Sequence, residues 1–325
     1  MTQPASLRLV SLLPSATEII TCLGLADSLV GISHECDYPS EIQNRAICTS
    51  ARLHINQPSG EIHQEVDRLL TAALSIYEIK LDILTQLQPT HIITQDQCDV
   101  CAVSFSEVEK AVTKLTNSTP QIISLQPDTI ADVWADIQRV GEALNVDWKP
   151  MVSSLQSRVS DCQSKCRNLL PEPPRVACIE WTEPLMLAGN WIPELVEMAG
   201  GQPIGGITGQ HSPMISWDEL VAADPDTIIF MPCGFDLDRT RQEVEPLTQH
   251  PHWKNLQAVQ SNQVYITDGN AYFNRPGPRL VESLEILTEI LHPQVCSYNH
   301  RGQGWVKLLK TPDFYQKSGV AASEN

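Results

Sequence analysis

The sequence predicts an α/β protein of two doubly wound lobes joined by a rigid backbone helix, and three observations predict it. Short apolar, β-prone runs alternate with segments of helical period along both halves of the 325-residue chain, the pattern of βαβ units and a mainly parallel sheet. The alternation stops once, over residues 127–170, where two helical segments follow one another with no strand between them. Finally, 42% apolar against 19% charged residues supplies apolar surface for two cores, at roughly 150 residues per domain.

Taken in order, residues 7–13 form a β-prone run stopped by Pro14, and Ser15-Ala16-Thr17-Glu18 reads as a capping box opening a helix to about residue 25. A strand over 29–33 runs into His34-Glu35-Cys36-Asp37-Tyr38-Pro39. Helical segments at 61–74 and 80–87 precede a buried strand at 91–94, which leads into Gln95-Asp96-Gln97-Cys98-Asp99-Val100-Cys101. Ser106-x-x-Glu109 offers a second capping box, and 122–125 a further strand. In the connector, Ile130, Val133, Ile137, Val140 and Leu144 recur at helical spacing, as do Val152, Leu155, Val159, Cys162 and Cys166. Two helices of over four turns each make a stiff strut rather than a flexible linker. Beyond Pro171-Glu172-Pro173-Pro174 come a strand at 176–180 and a helix at 191–199 with Gly200-Gly201 as its left-handed cap. Ser216-x-x-Glu219 opens another helix. Strands at 227–231 and 264–267 and a last helix at about 278–291 complete the series. The expected division is an N-terminal lobe over 1–126, a connector over 127–173, a C-terminal lobe over 174–300 and a polar tail over 301–325.

The charge balance limits function. Lys and Arg number 22 against 39 Asp and Glu, a net charge of −17. That field repels phosphate backbones and anionic lipid, so neither a nucleic-acid partner nor a membrane-surface role is expected. No apolar run reaches the roughly 18 residues of a membrane span. The first twenty residues hold one basic residue, Arg8, and an apolar stretch interrupted by Pro14 and Glu18. No export signal is read there, and a cytoplasmic chain is expected.

Ligands of such sheets bind beyond the carboxyl ends of the strands, so a cleft between the lobes is the expected site. The residues that follow the strands are Pro14 and Ser15; His34 and Cys36; Cys98 and Cys101; Trp181 and Trp191; Cys233; and Tyr272, Phe273, Asn274 and Arg275. Cys98-x-x-Cys101 reads as a metal hairpin, a redox pair or a structural element. Cys36 and Cys233, also in strand-end loops, would complete a zinc or iron–sulfur set. The indoles either stack on a flat ligand or pack between helix and sheet. Arg275, on a Pro-stiffened loop, either meets an anionic group or pairs with a carboxylate of the chain. Phosphate-cradling Gly loops, G-x-S-x-G and H-E-x-x-H are all missing, so an enzyme is not expected.

Leu9-Val10-Ser11-Leu12-Leu13-Pro14-Ser15-Ala16-Thr17-Glu18-Ile19, then Val30-Gly31 and Asp37-Tyr38-Pro39, resemble the opening of the class III substrate-binding proteins of ABC importers, nearest those for vitamin B12 and iron chelates. Residues 81–93, Glu194-Leu195-Val196-Glu197-Met198-Ala199-Gly200-Gly201 and Asp224-Pro225-Asp226-Thr227-Ile228-Ile229 are similar to later blocks of that family, and the likeness covers about residues 7–292. The resemblance implies a shallow cleft between two rigidly joined lobes. It also implies a carboxylate on each lobe that docks an ABC permease, at Asp82, where the family has Glu, and Glu197. The thiols Cys36, Cys98, Cys101 and Cys233 depart from the importer pattern, and the chain resembles a cytosolic-type subgroup described as cobalamin-binding. The expectation is a non-enzymatic binding protein for a corrinoid such as cobalamin, or a related metal chelate. Trp181, Trp191, Tyr272 and Phe273 would offer apolar faces, Asn274 and Arg275 polar contacts, and His34 or a Cys would approach the metal. The alternative is a metal-handling or redox protein with zinc or an iron–sulfur cluster on the four thiols.

Overall fold

In chain order the first lobe runs β1 (Leu9–Ser11), α1 (Pro14–Cys22), β2 (Leu29–Ile32), β3 (Ala46–Ile47), β4 (Thr49–Ala51), α2 (Ser59–Thr71), β5 (Tyr77–Ile79), α3 (Leu81–Leu87), β6 (His91–Gln95), α4 (Phe105–Thr113) and β7 (Gln121–Leu125). The computed structural model describes residues 7–54, 56–72, 75–96, 103–115, 119–167, 169 and 171–308. Two helices follow, α5 (Ile130–Ala143) and α6 (Lys149–Cys166). The second lobe then runs β8 (Arg175–Thr182), β9 (Leu185–Leu187), α7 (Ile192–Met198), β10 (Gln202–Pro203), α8 (Trp217–Ala223), β11 (Thr227–Phe230), α9 (Leu237–Leu247), α10 (Gln257–Gln260), β12 (Val264–Thr267), α11 (Leu280–Leu291) and β13 (Trp305–Lys307).

The first sheet is parallel throughout, in the order β3-β2-β1-β6-β7. Helices cover both its faces, which is why β1 and all of β6 beyond His91 are buried without alternation. Gly31 in β2 is fixed by crowding. A Cβ there would meet Cys48 Sγ at 2.6 Å and Leu87 Cδ1 at 2.7 Å. β4 and β5 form a separate antiparallel pair. The second sheet has the order β10-β8-β11-β12-β13, parallel except for β13, and β9 hairpins back on β8.

The strut between the lobes is two helices with a break at residues 144–148, where Asn145 turns left-handed at φ 56°. α5 packs on α1 and β7, and α6 on α7 and α11. One apolar cluster runs through this strut without interruption, from Leu9 and Ile19 through Val133, Ile137, Leu155 and Val159 to Leu195 and Leu284. A core shared in this way holds the lobes far more firmly than a solvated linker would.

Local signals fared unevenly. Ser216 caps α8 through Glu219 as expected, and Gly200, at φ +80°, ends α7. Its N–H donates to Glu197 O and that of Gly201 to Val196 O, both at 2.9 Å, which satisfies two terminal carbonyls. The other two expected capping boxes do not form. α1 begins at Pro14 with Leu13 as N-cap and no side-chain cap, because Ser15 is buried and Glu18 turns to a partner in the other lobe. α4 begins at Phe105, which leaves Ser106 inside the helix. The stretch expected to be a polar tail carries β13 at its start. Buried carboxylates of α11 anchor it: Glu289 accepts from Trp305 Nε1 at 2.7 Å, and Glu285 lies 2.8 Å from His300 Nε2.

Candidate functional site

The loops after the strands of both sheets meet, and two polar clamps hold them together. In the first, Arg275, in the loop after β12, pairs with Asp37, in the loop after β2. Its Nη2 donates to Asp37 Oδ2 at 3.0 Å, Asn270 Oδ1 at 2.9 Å and Glu35 O at 3.3 Å. Asn270 Nδ2 donates in turn to Asp37 Oδ2 at 3.0 Å. In the second, the start of α2 docks on β8 and α9 of the second lobe. Thr182 Oγ1 donates to Ser59 Oγ at 2.8 Å, Ser59 N–H to Glu243 Oε2 at 3.1 Å, and Arg239 to Gln57 O. Arg239 also pairs with Glu243 at 2.7 Å.

Between the clamps lies a strip of rings. Phe235 joins them on the second lobe: the Arg239 guanidinium lies 4.8 Å from its ring, and its carbonyl accepts from Asn270 N at 3.1 Å. Trp181 leans on Phe235 with ring centroids 5.4 Å apart, held by an Nε1 bond to Glu183 O at 3.0 Å, and is only half-buried. On the first lobe, Tyr77 in β5 donates its hydroxyl to Glu35 Oε1 at 2.9 Å, and its ring lies 5.5 Å from that of His34. His34 Nδ1 is 2.7 Å from Thr49 Oγ1. Burial, helped by the Lys80 ammonium, lowers the His34 imidazole below its ordinary value, so the ring is neutral at pH 7. Burial raises the Glu35 carboxyl, against the pull of the Tyr77 hydroxyl.

The remaining candidates divide. Trp191 is buried and donates to Phe273 O at 2.7 Å, and Phe273 is fully sealed; these two anchor a loop and offer no face to a ligand. Asn274 Nδ2 ties Met231 O and Gly269 O at 2.9 and 3.0 Å, so it fastens two strand-end loops to each other. Tyr272 stays half-exposed beside Arg279. Pro14 and Ser15 are both buried, Ser15 against Gly277 of the other lobe. Arg275 is 7% exposed and neutralised by Asp37, so it meets an anion of the chain itself. Asp82 and Glu197 are exposed, one on each lobe.

The thiols do not form the expected set among the described residues. Cys36 is buried and accepts from Thr17 Oγ1 at 3.1 Å, and burial pushes its thiol up to about 12. Turned inward to Thr17 within the apolar core, this thiol is a packing residue. Cys233 is half-buried, while Cys98 and Cys101 lie outside the described residues. No group of three His, Cys, Asp and Glu side chains that could hold a metal occurs among the described residues. No described helix is long and apolar enough to cross a membrane.

One buried pair escaped the sequence reading. Glu18 Oε1 accepts from Arg279 Nη2 at 2.6 Å, across the lobes. Its signal was Glu18 itself, a carboxylate in an otherwise apolar run.

The Asp37 clamp titrates in a definite direction. Burial alone would raise this carboxyl, but Arg275 and Asn270 outweigh it and hold it below its ordinary value. A carboxyl lowered on folding contributes stability that is complete above the unfolded value, near about pH 4, and is lost as the pH falls through the folded value. Asp37→Asn should therefore remove a decline in urea midpoint that the parent protein shows below about pH 4. Superimposable acid limbs for the two proteins would refute it.

Residues 9–271 match the family model for the periplasmic binding protein. The chain belongs to that family. Among periplasmic binding proteins it is 21% identical over 292 residues to the uncharacterised ABC transporter substrate-binding lipoprotein YvrC of Bacillus subtilis, covering 88% of this chain and 80% of that one. It is 24% identical over 281 residues to the vitamin B12-binding protein of Vibrio parahaemolyticus, covering 85% and 86%. In structure it is similar to the periplasmic heme-binding protein RhuT of Roseiflexus, with a TM-score of 0.66 at 19% identity over 89% of this chain and 99% of that one. The fold is that of the class III binding proteins, and the chain is a solute-binding protein rather than an enzyme. The expected cytoplasmic location is overturned, since these relatives are a lipoprotein and a periplasmic protein. The narrower cytosolic grouping loses its basis with it.

Proposed function

We propose that the chain is the substrate-binding protein of an ABC importer, working outside the cytoplasmic membrane, and that its solute is a corrinoid, cobalamin. The observation that carries the reading is the strip of rings between the two clamps: Trp181, backed by the buried Phe235, on one lobe, and His34 and Tyr77 on the other. A corrin is a broad plate whose faces are largely apolar, and burying that area is worth about 25 cal/mol per Å2. The name of the Vibrio parahaemolyticus relative supports the choice of solute. A second reading, a haem, is favoured by Tyr77 and the neutral His34 on one wall, since phenolate and imidazole are both iron ligands. Asp82 in the first turn of α3 and Glu197 near the end of α7 would dock a permease through its cations, one contact per lobe.

The two chelates are separated by titration. Cyanocobalamin is expected to quench the tryptophan fluorescence saturably at one per chain, with a Kd of about 1 μM or tighter, near −8 kcal/mol. Saturation by haemin and not by cyanocobalamin would select the second reading. Saturation by neither, up to about a hundredfold higher concentration, would sink both.

A further inference from the structure

Away from the cleft, the last turn of α6 meets the segment between α11 and β13 through a group of thiols that nothing above employs. Cys162, Cys166 and Cys296 are all free and all buried. Cys162 Sγ donates to the Tyr298 hydroxyl at 3.3 Å, and Lys165 Nζ lies 3.4 Å from the same hydroxyl and 4.8 Å from its ring. Cys166 packs against α11, 3.8 Å from Thr288 Oγ1. Cys296 is held by its N–H to His292 O at 3.0 Å, and the His292 ring and Cys166 both border Gly200, so the Cys296 and Cys166 thiols are neighbours.

We infer that Cys166 and Cys296 are a disulfide site, closed when the chain meets an oxidising milieu such as the compartment proposed above. The pairing is selective. Cys162 and Cys166 stand four residues apart in a helix, with Cβ atoms about 5–6 Å apart, whereas a disulfide needs about 3.5–4.5 Å. Cys162 is oriented toward Tyr298. Lys165 Nζ reaches the hydroxyl of Tyr298, two residues beyond Cys296, and its charge opposes the rise that burial gives the Cys296 thiol, so the attack is assigned to Cys296, the thiol with a cation at hand. Cys166 is the last residue of α6, and Arg167 leaves the helix in extended conformation, so opening one helical turn admits a reagent.

With oxidised glutathione the step balances. The Cys296 thiolate attacks one sulfur of the reagent and keeps it in a mixed disulfide, while the other sulfur leaves as glutathione thiolate. The Cys166 thiolate then displaces the second glutathione from the mixed disulfide. One disulfide is broken and one formed, and two protons and two electrons pass from the pair to the reagent. The product closes a loop of about 130 residues around the second lobe, from β8 through α11, the long-loop case in which a cross-link constrains the unfolded chain most. It acts on the fold and is independent of which solute the cleft takes.

The test oxidises the native protein with glutathione disulfide for a day, alkylates the remaining thiols in denaturant, and maps peptides without reductant. The expected result is a loss of about two alkylatable thiols per chain, a single linked peptide carrying residues 166 and 296, and a thermal midpoint that rises on oxidation and returns on reduction. Cys162→Ser should keep the link, and Cys166→Ser should abolish it. Should Cys166→Ser fail to fold, the parent map and Cys162→Ser decide alone. A link through Cys162, a link between two chains, or an unchanged thiol count would overturn the inference.

Discussion

Replacing Arg279 by methionine is expected to lower the unfolding free energy by about 3–5 kcal/mol, the penalty for leaving one member of a buried ion pair behind. Glu18 is 1% exposed and its partner 9%. Glu18 Oε2 and Arg279 Nε have no hydrogen-bond partner, so the single short bond carries the pair. The Arg279 guanidinium also lies 4.1 Å from the ring of Tyr38, which stands on the first lobe, and 5.6 Å from that of Tyr272 on the second. The contact therefore staples α1 to the approach of α11, and its loss acts on the seat of the whole cleft. Burial already raises the Glu18 carboxyl above its ordinary value, with Arg279 opposing the rise. Without that opposition the group stays protonated in the fold to higher pH. A carboxyl raised on folding gives stability that is complete below the unfolded value, about 4.3, and lost as pH rises through the folded one. The deficit of Arg279→Met should thus be smallest near about pH 4 and grow toward neutrality. The double variant Glu18→Leu with Arg279→Met should recover most of it, because two apolar side chains leave no buried charge. Urea denaturation of the three proteins at several pH values measures all of this. A deficit below about 1 kcal/mol, the range of an exposed pair, would refute it.

The same pair marks where the sequence stops being legible. Element types were readable because parallel strands covered on both faces carry short, mostly apolar runs, as β2, β11 and β12 do. Ser15-x-x-Glu18 and Ser216-x-x-Glu219 present the same local signal, yet only the second is a capping box. What separates them is Arg279, 261 residues from Glu18, and no local window contains it. Arg275 behaves likewise: its rigid loop and its need of an acid were readable, but the acid, Asp37, lies 238 residues away. Tyr77 was missed because β4 and β5 are three residues each and carry no apolar alternation long enough to register. The four-thiol site was composed from loop positions alone. Loop position does not fix direction, and Cys36 turns inward to Thr17.

The two tryptophans that the sequence could not tell apart should now separate in experiment. Trp191 is 6% exposed, its ring lies within the shared core, and its Nε1 holds Phe273 O. Trp191→Ala is expected to cost about 3–5 kcal/mol of stability, as for other buried aromatic truncations, and to impair binding only as far as it unfolds the chain. Trp181 has an exposed face, rests on Phe235 and lies between the clamps. Trp181→Ala should leave the unfolding free energy within about 1 kcal/mol of the parent, a loss typical of a half-exposed side chain. Under the corrinoid reading it should weaken cyanocobalamin about tenfold to a hundredfold, the worth of one stacked aromatic face at about 1.4–2.7 kcal/mol. Trp181→Phe keeps a ring against Phe235 and should restore most of the affinity. Urea denaturation and isothermal titration on the same samples give both quantities. If Trp181→Ala bound cyanocobalamin as tightly as the parent, the strip between the clamps would not be the solute's seat.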